Sequence, residues 1–287
     1  MEANHMGDAG GIQKVKTTDV SKDILDKFWV LSEGKEVKRL RETKNLLTVL
    51  KTKQLDHNNL PNKNFPLCGD LQYSLRRLVK GLPSSKKWAR VGFATALTQI
   101  LSEFPEVQIR DVLALIKETL TFTQQESKAE QGNIMFGKVT ALMAIIRSRR
   151  LDQGCGEETE GVVSSLIQLQ GKKSYLQQPC VCGLQILINS VDKVTFTQHI
   201  LPQLRGELSA GWEGCTPDRL LLAIMAASKR YLVKGGTDRC LVMVGMDRYL
   251  VKFGMDRYLV KFGMDRYLVK VGMDRCLGMV GLDFGFG

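Results

Sequence analysis

The chain has 287 residues, of which 44% are hydrophobic, and 41 Lys and Arg stand against 30 Asp and Glu for a formal charge of +11. That hydrophobic share excludes a wholly disordered chain, and no apolar run reaches the roughly 18 residues that a membrane span needs. The start, MEANHMGDAGG, carries acids and no apolar stretch of the kind found in a secretory signal. The expectation is therefore a nuclear or cytosolic protein with free thiols and no membrane partner.

Residues 1–20 are polar and glycine-rich with no period, and a disordered start is expected. From Ser21, a candidate N-cap, helical spacing begins: Ile24, Leu25, Phe28, Trp29 and Leu31 form a stripe that Gly34 ends. The next helix, KEVKRLRETKNLLTVLKTK, sets Val37, Leu40, Leu47 and Leu50 toward a core and leaves a basic outside. Residues 54–70 hold Asn58, Asn59, Pro61, Asn62, Pro66 and Gly69 and read as a loop. Leu71, Leu75, Leu78 and Leu82 then line one helical face, followed by a helix with Trp88, Val91, Ala94, Leu97, Leu101 and Phe104. Pro105 stops that helix, because proline has no N–H to donate.

Further amphipathic segments follow in IRDVLALIKETLTF, GNIMFGKVTALMAIIRSRRL, ETEGVVSSLIQLQ, PCVCGLQILINSV, TFTQHILPQLRGEL and TPDRLLLAIMAASKR. In the last, Thr216 before Pro217 reads as an N-cap with proline in the first turn. No segment before the tail alternates with the period of two that marks strands. The pattern predicts an all-α array of antiparallel helix pairs over residues 21–229.

The stretches ILDKFWVLSEGKEVKRLRETKNLLTVLK, LQYSLRRLVKGLPSSKKWARVGFATALTQILSEFPEVQI and GKVTALMAIIRSRRL resemble the DNA polymerase V/Myb-binding family across about residues 22–227. The resemblance implies an armadillo/HEAT-like helical repeat, a nuclear and mainly nucleolar location, and work in ribosomal RNA transcription and processing. It also implies co-regulation of transcription through bound transcription factors or ribosome-biogenesis proteins. The family's basic C-terminal region, associated with nucleolar targeting, has no counterpart among these residues.

The residues themselves do not suggest an enzyme. Polymerisation needs carboxylates paired around two metals, and here there is no Asp-x-Asp and no G-x-x-x-x-G-K-[ST] phosphate loop. No cofactor and no small-molecule substrate are expected. Nor is a metal site: Cys180 and Cys182 make a C-x-C, and His5, His57 and His199 lie far apart. Buried apolar cysteines are the plainer reading of that pair.

Three features bear on binding. Lys38, Arg39, Arg41 and Lys44 on one helix, Arg76, Arg77 and Lys80 on another, and Lys86, Lys87 and Arg90 opening a third form a strip if stacking brings them together. Such a strip would meet a protein partner or the phosphates of RNA or DNA, or be simply a solvated face with Glu36 and Glu42 interspersed. Arg147, Arg149 and Arg150 read either as a nuclear import signal or as cations that complement a helix C-terminus. The leucine groups at 97–101, 184–188 and 220–223 have the spacing of docking helices, and also that of an ordinary core.

The tail, residues 230–287, repeats the unit GMDRYLVKF with five copies between Gly236 and Val280. Such near-identity reads as duplication of nine codons, giving a disordered or artefactual tract. An odd period flips the faces of successive copies in a continuous strand, so a stack of hairpins turning at Gly-Met-Asp is the best folded option.

Overall fold

The computed structural model describes residues 11–61, 65–122, 125–152 and 156–208, the helical positions 219, 221–223, 225, 226 and 229, and four strands between 240 and 269. Two compact units divide at Val191 and Asp192.

The first unit contains helices α1 (Lys22–Leu31), α2 (Glu36–Asn58), α3 (Gly69–Gly81), α4 (Lys87–Glu103), α5 (Ile109–Thr119), α6 (Lys128–Arg147), α7 (Gly156–Gln170) and α8 (Ser174–Ser190). They pair as successive hairpins: α1 with α2, α3 with α4, α5 with α6, and α7 with α8. Within this stack α2, α4, α6 and α8 touch in sequence as one layer, and α3, α5 and α7 do so as the other. The core lies between the layers. Leu71, Leu75, Leu78 and Leu82 of the α3 segment are fully buried, as their spacing predicts. Each such leucine contributes roughly 2 kcal/mol by leaving water. The leucine groups at 97–101 and 184–188 also face inward, with Leu97, Ile100, Leu101, Leu184, Leu187 and Ile188 buried.

Helix ends follow local chemistry. Ser127 and Glu130 form a reciprocal capping box at the start of α6. Ser21 holds the N-cap position of α1 without a side-chain cap bond; its N–H instead donates to Asp70 Oδ1 at 3.1 Å. α8 begins five residues before the predicted Pro179, which sits inside it. As the sixth residue of the helix it has no N–H to give to the Tyr175 carbonyl four residues before it. After α6, Arg149 takes a left-handed backbone with φ 60°, a conformation that costs a side-chain-bearing residue about 1 kcal/mol. Arg149→Gly is expected to raise stability by about 0.5–1 kcal/mol in denaturant melts, since glycine is the favoured residue at this position past a helix end.

The expectation of disorder fails for residues 11–20. Gln13 donates its N–H to Gln72 Oε1 at 2.8 Å, and Arg76 donates to the carbonyls of Ile12 and Gln13. Ile12 and Val20 are buried. Polar composition hid this, because the anchors lie on a helix some sixty residues later.

The predicted core stripe of α2 is also shifted. Its buried face is Arg39, Thr43, Leu46, Leu50 and Gln54, while Val37 and Leu40 are exposed. Three of those five are polar; of the predicted stripe Leu50 is buried and Leu47 half-buried, while Val37 and Leu40 point outward. Each polar member is satisfied internally: Thr43 Oγ1 donates to Arg39 O at 2.9 Å, and Gln54 Nε2 donates to Pro66 O at 2.8 Å. In α1, Trp29 is likewise exposed and only Ile24, Phe28 and Leu31 turn inward.

Cys68 and Cys180 are buried thiols and Cys182 is half-buried. Burial pushes the Cys180 thiol up to about 12 and raises that of Cys68. Because the thiolate is the reactive form, iodoacetamide at pH 8 is expected to label Cys182 before Cys68 or Cys180, as read by peptide mass mapping. Early labelling of Cys180 would contradict its burial.

In the second unit, Asp192 caps α9 (Lys193–Thr195) by accepting from the Val194 and Thr195 N–H groups. A π-helical turn, Phe196–Ile200, leads into α10 (Leu201–Leu208). The wide turn precedes Pro202, whose missing N–H breaks the ordinary ladder. The predicted cap at Thr216 and Pro217 lies outside the described residues.

The tail strands β1 (Cys240–Met243), β2 (Arg248–Gly254), β3 (Arg257–Phe262) and β4 (Asp265–Val269) form an antiparallel meander in the order β1-β2-β3-β4. The chain reverses between Gly254 and Arg257, and again between Phe262 and Asp265. These strands run as successive hairpins. Val251 pairs with Val260 and Phe253 with Tyr258. Each pair joins an odd to an even position, and a nine-residue step also changes parity. The two flips cancel, so equivalent positions of successive copies share a face despite the odd period.

Candidate functional site

The binding residues singled out in the sequence separate into distinct environments. The helices α2 and α4 are neighbours in one layer, and Arg39 and Lys87 meet over the Trp88 ring; Arg76, Arg77 and Lys80 stand on α3 in the other layer.

Several of the arginines serve the fold. Arg39 is 5% exposed and donates to the carbonyls of Glu33 and Gly34, both at 2.8 Å. Its guanidinium lies 5.2 Å from the centre of the Trp88 ring, which Lys87 also approaches at 5.4 Å. Arg90 donates to Ser84 O at 2.7 Å and covers the Phe136 ring at 5.2 Å. Arg76 binds Glu118 besides the N-terminal carbonyls. Although slight burial opposes it, the neighbouring Arg76 and Lys14 hold the Glu118 carboxyl below its usual range. Arg150 grips four carbonyls at the end of α4. Arg147 and Arg149 are exposed.

Others remain at the surface. Arg41, Lys44, Arg77, Lys80, Lys86 and Lys87 are exposed, and Lys38 pairs with Glu33 at 3.0 Å. Lys35 and Lys86 hold the N-cap positions of α2 and α4, and neither side chain makes a cap bond.

Between α2 and α4 runs a shallow groove with a pocket of about 50 Å³, lined by Glu36, Arg39, Leu40, Thr43, Val91 and Thr95. Beside it Val37 is 71% exposed, Leu40 52%, Trp88 47% and Val91 42%. These apolar positions follow helical spacing on each helix and face water rather than core. Sequence reasoning assigned all four to the core; the sign available was that Val37 and Leu40 lie among bases rather than opposite them. No helix among the described residues is long and apolar enough to cross a membrane.

No solved structure matches the chain. Among curated proteins, the rDNA transcriptional regulator pol5 of Schizosaccharomyces pombe is 33% identical across 45% of this chain and 14% of its own length. Myb-binding protein 1A of Rattus norvegicus is 30% identical across 66% of this chain and 13% of its own. The rDNA transcriptional regulator POL5 of Saccharomyces cerevisiae is 28% identical across 63% of this chain and 20% of its own. The chain thus matches no more than a fifth of the length of these relatives, whose names are those of regulators and a binding protein. The DNA polymerase phi family model matches residues 73–235, more than half of the chain, and the chain belongs to that family.

Proposed function

We propose that the chain is a non-enzymatic scaffold of the armadillo/HEAT type that acts in the nucleus, and in the nucleolus, on transcription of ribosomal DNA and on ribosome biogenesis. It does so by holding protein partners, among them transcription factors or ribosome-biogenesis proteins. What carries the reading is the exposed apolar groove between α2 and α4, in a chain whose relatives are named as regulators of rDNA transcription and as a Myb-binding protein. Surface apolar residues clustered this way mark a place where another protein sits. The armadillo/HEAT assignment draws on the hairpin pairing and the same-layer contacts of α2, α4, α6 and α8.

The test is pulse labelling of ribosomal RNA precursors in cells depleted of the protein and rescued with the chain or with an empty vector. Synthesis or processing is expected to fall on depletion and to recover with the chain. Unchanged labelling on depletion sinks the reading.

A second reading, direct contact with RNA or DNA, is favoured by the exposed cations Arg77 and Lys80 and by the lysines at the N-caps of α2 and α4. Anisotropy titrations of labelled RNA and duplex DNA across salt decide it: phosphate contacts give binding that weakens steeply with salt. No binding near physiological salt removes this reading. The import role of Arg147, Arg149 and Arg150 is tested by fusing that segment to a fluorescent reporter; a reporter left in the cytoplasm refutes it.

A further inference from the structure

We infer that the groove between α2 and α4 receives an acidic, amphipathic helix of a partner protein, an assignment that rests on the scaffold reading above. The two helices lie side by side in the same direction. Arg39 meets Trp88 at one end, and Lys51 Nζ meets Glu103 Oε2 at 2.6 Å at the other. The stretch of α2 from Arg39 to Lys51 rises roughly 18 Å, which accommodates about three turns of a docked helix. Leu40 and Thr43 of α2 and Val91 and Thr95 of α4 line the pocket. Leu40 and Val91 in that lining, with Val37 and Trp88 exposed beside it, suit apolar anchors at helical spacing.

The charge of the rim selects the partner. Arg41 and Lys44, one helical turn beyond Val37 and Leu40 on α2, are exposed and have no ion-pair partner among the described residues. The neighbouring acids are already engaged: Glu33 with Lys38 at 3.0 Å, and Glu42 with Lys27 at 3.1 Å. Glu36, the acid within the lining, shares it with the guanidinium of Arg39. A negative partner is therefore steered in and a positive one repelled. A nucleic-acid strand fits less well. Trp88 carries Arg39 and Lys87 over its ring, so it is not a free platform for base stacking.

The probe is a fluorescein-labelled helical peptide of about 16 residues, enough to span the groove, with leucines at helical spacing and glutamates elsewhere. A matched peptide carries lysines in place of the glutamates. Both are titrated by anisotropy against the full chain, the double variant Leu40→Ser with Val91→Ser, and the double variant Arg41→Glu with Lys44→Glu. The second variant changes only exposed side chains and guards against misfolding in the first; circular dichroism checks both. The glutamate peptide is expected to bind the chain and to lose about tenfold or more in affinity on either variant, and the lysine peptide to bind about tenfold more weakly. No binding, equal binding to chain and variants, preference for the lysine peptide, or displacement by single-stranded RNA would each overturn the assignment. If the groove fails while ribosomal RNA labelling still depends on the chain, the scaffold reading stands. If the peptide binds as expected but labelling is unchanged on depletion, that reading falls instead.

Discussion

Gly92→Ala is expected to destabilise the first unit by about 3 kcal/mol, near the upper range for overpacking a tight contact. A Cβ at Gly92 would sit 1.9 Å from the carbonyl oxygen of Leu31. The obstacle is backbone at the end of α1 rather than the tip of a flexible side chain. Relief therefore requires α1 and α4 to move apart, which would unseat Leu31 and Phe93 from the core. Gly206→Ala supplies the opposite expectation. It lies within α10, a Cβ there meets nothing within 4 Å, and replacing an interior helical glycine gains up to about 1 kcal/mol. Denaturant melts followed by circular dichroism read both. A neutral Gly92→Ala would mean that the Leu31 carbonyl does not lie against Gly92.

Arg150→Ala is expected to cost about 3 kcal/mol, because it strips charged donors from carbonyls that have few other partners. Its Nη1 donates to Leu101 O at 3.1 Å and Phe104 O at 3.0 Å, and its Nη2 to Pro105 O and Val107 O, both at 3.1 Å. The guanidinium thus closes the C-terminal end of α4 and the turn into α5, where Pro105 prevents the helix from continuing. Arg150→Lys is expected to recover less than half of that loss, since an ammonium cannot span four acceptors in a plane. Arg147→Ala, at an exposed position on α6, is expected to stay within about 0.5 kcal/mol. Equal effects at 147 and 150 would refute the structural role of Arg150.

Much of the array was legible from spacing. The α3 leucines at 71, 75, 78 and 82 are buried where the pattern put them, and Pro105 follows the end of α4 as expected. What failed was the choice of face where core positions are polar. α2 buries Arg39, Thr43 and Gln54, whose donors find carbonyls in loops or in their own helix. Hydrophobic periodicity has no signal for a buried side chain satisfied by hydrogen bonds, so the spacing places Val37 and Leu40 in the core. The same error hid the groove, because Trp88 and Val91 continue a helical pattern whether the neighbour is this chain or another. The cations were counted correctly from sequence, but their duties were not. Arg150 binds carbonyls more than forty residues away that only tertiary packing brings near, while Arg39 and Arg90 bind carbonyls of the loops just before their own helices. In the tail, the odd period argued against a one-faced sheet until the pairing register supplied a second, cancelling flip.

The central claim is that the chain works through protein contacts made by the groove. Its most direct test is chromatin immunoprecipitation over the ribosomal DNA repeat, comparing the chain with two variants in cells that lack the native protein. One variant carries Leu40→Ser and Val91→Ser, and the other Arg77→Glu, Lys80→Glu and Lys86→Glu. The account predicts that the groove variant loses occupancy while the second variant keeps it. Occupancy that survives loss of the groove but falls with the exposed cations would contradict it and make the chain a nucleic-acid-binding module.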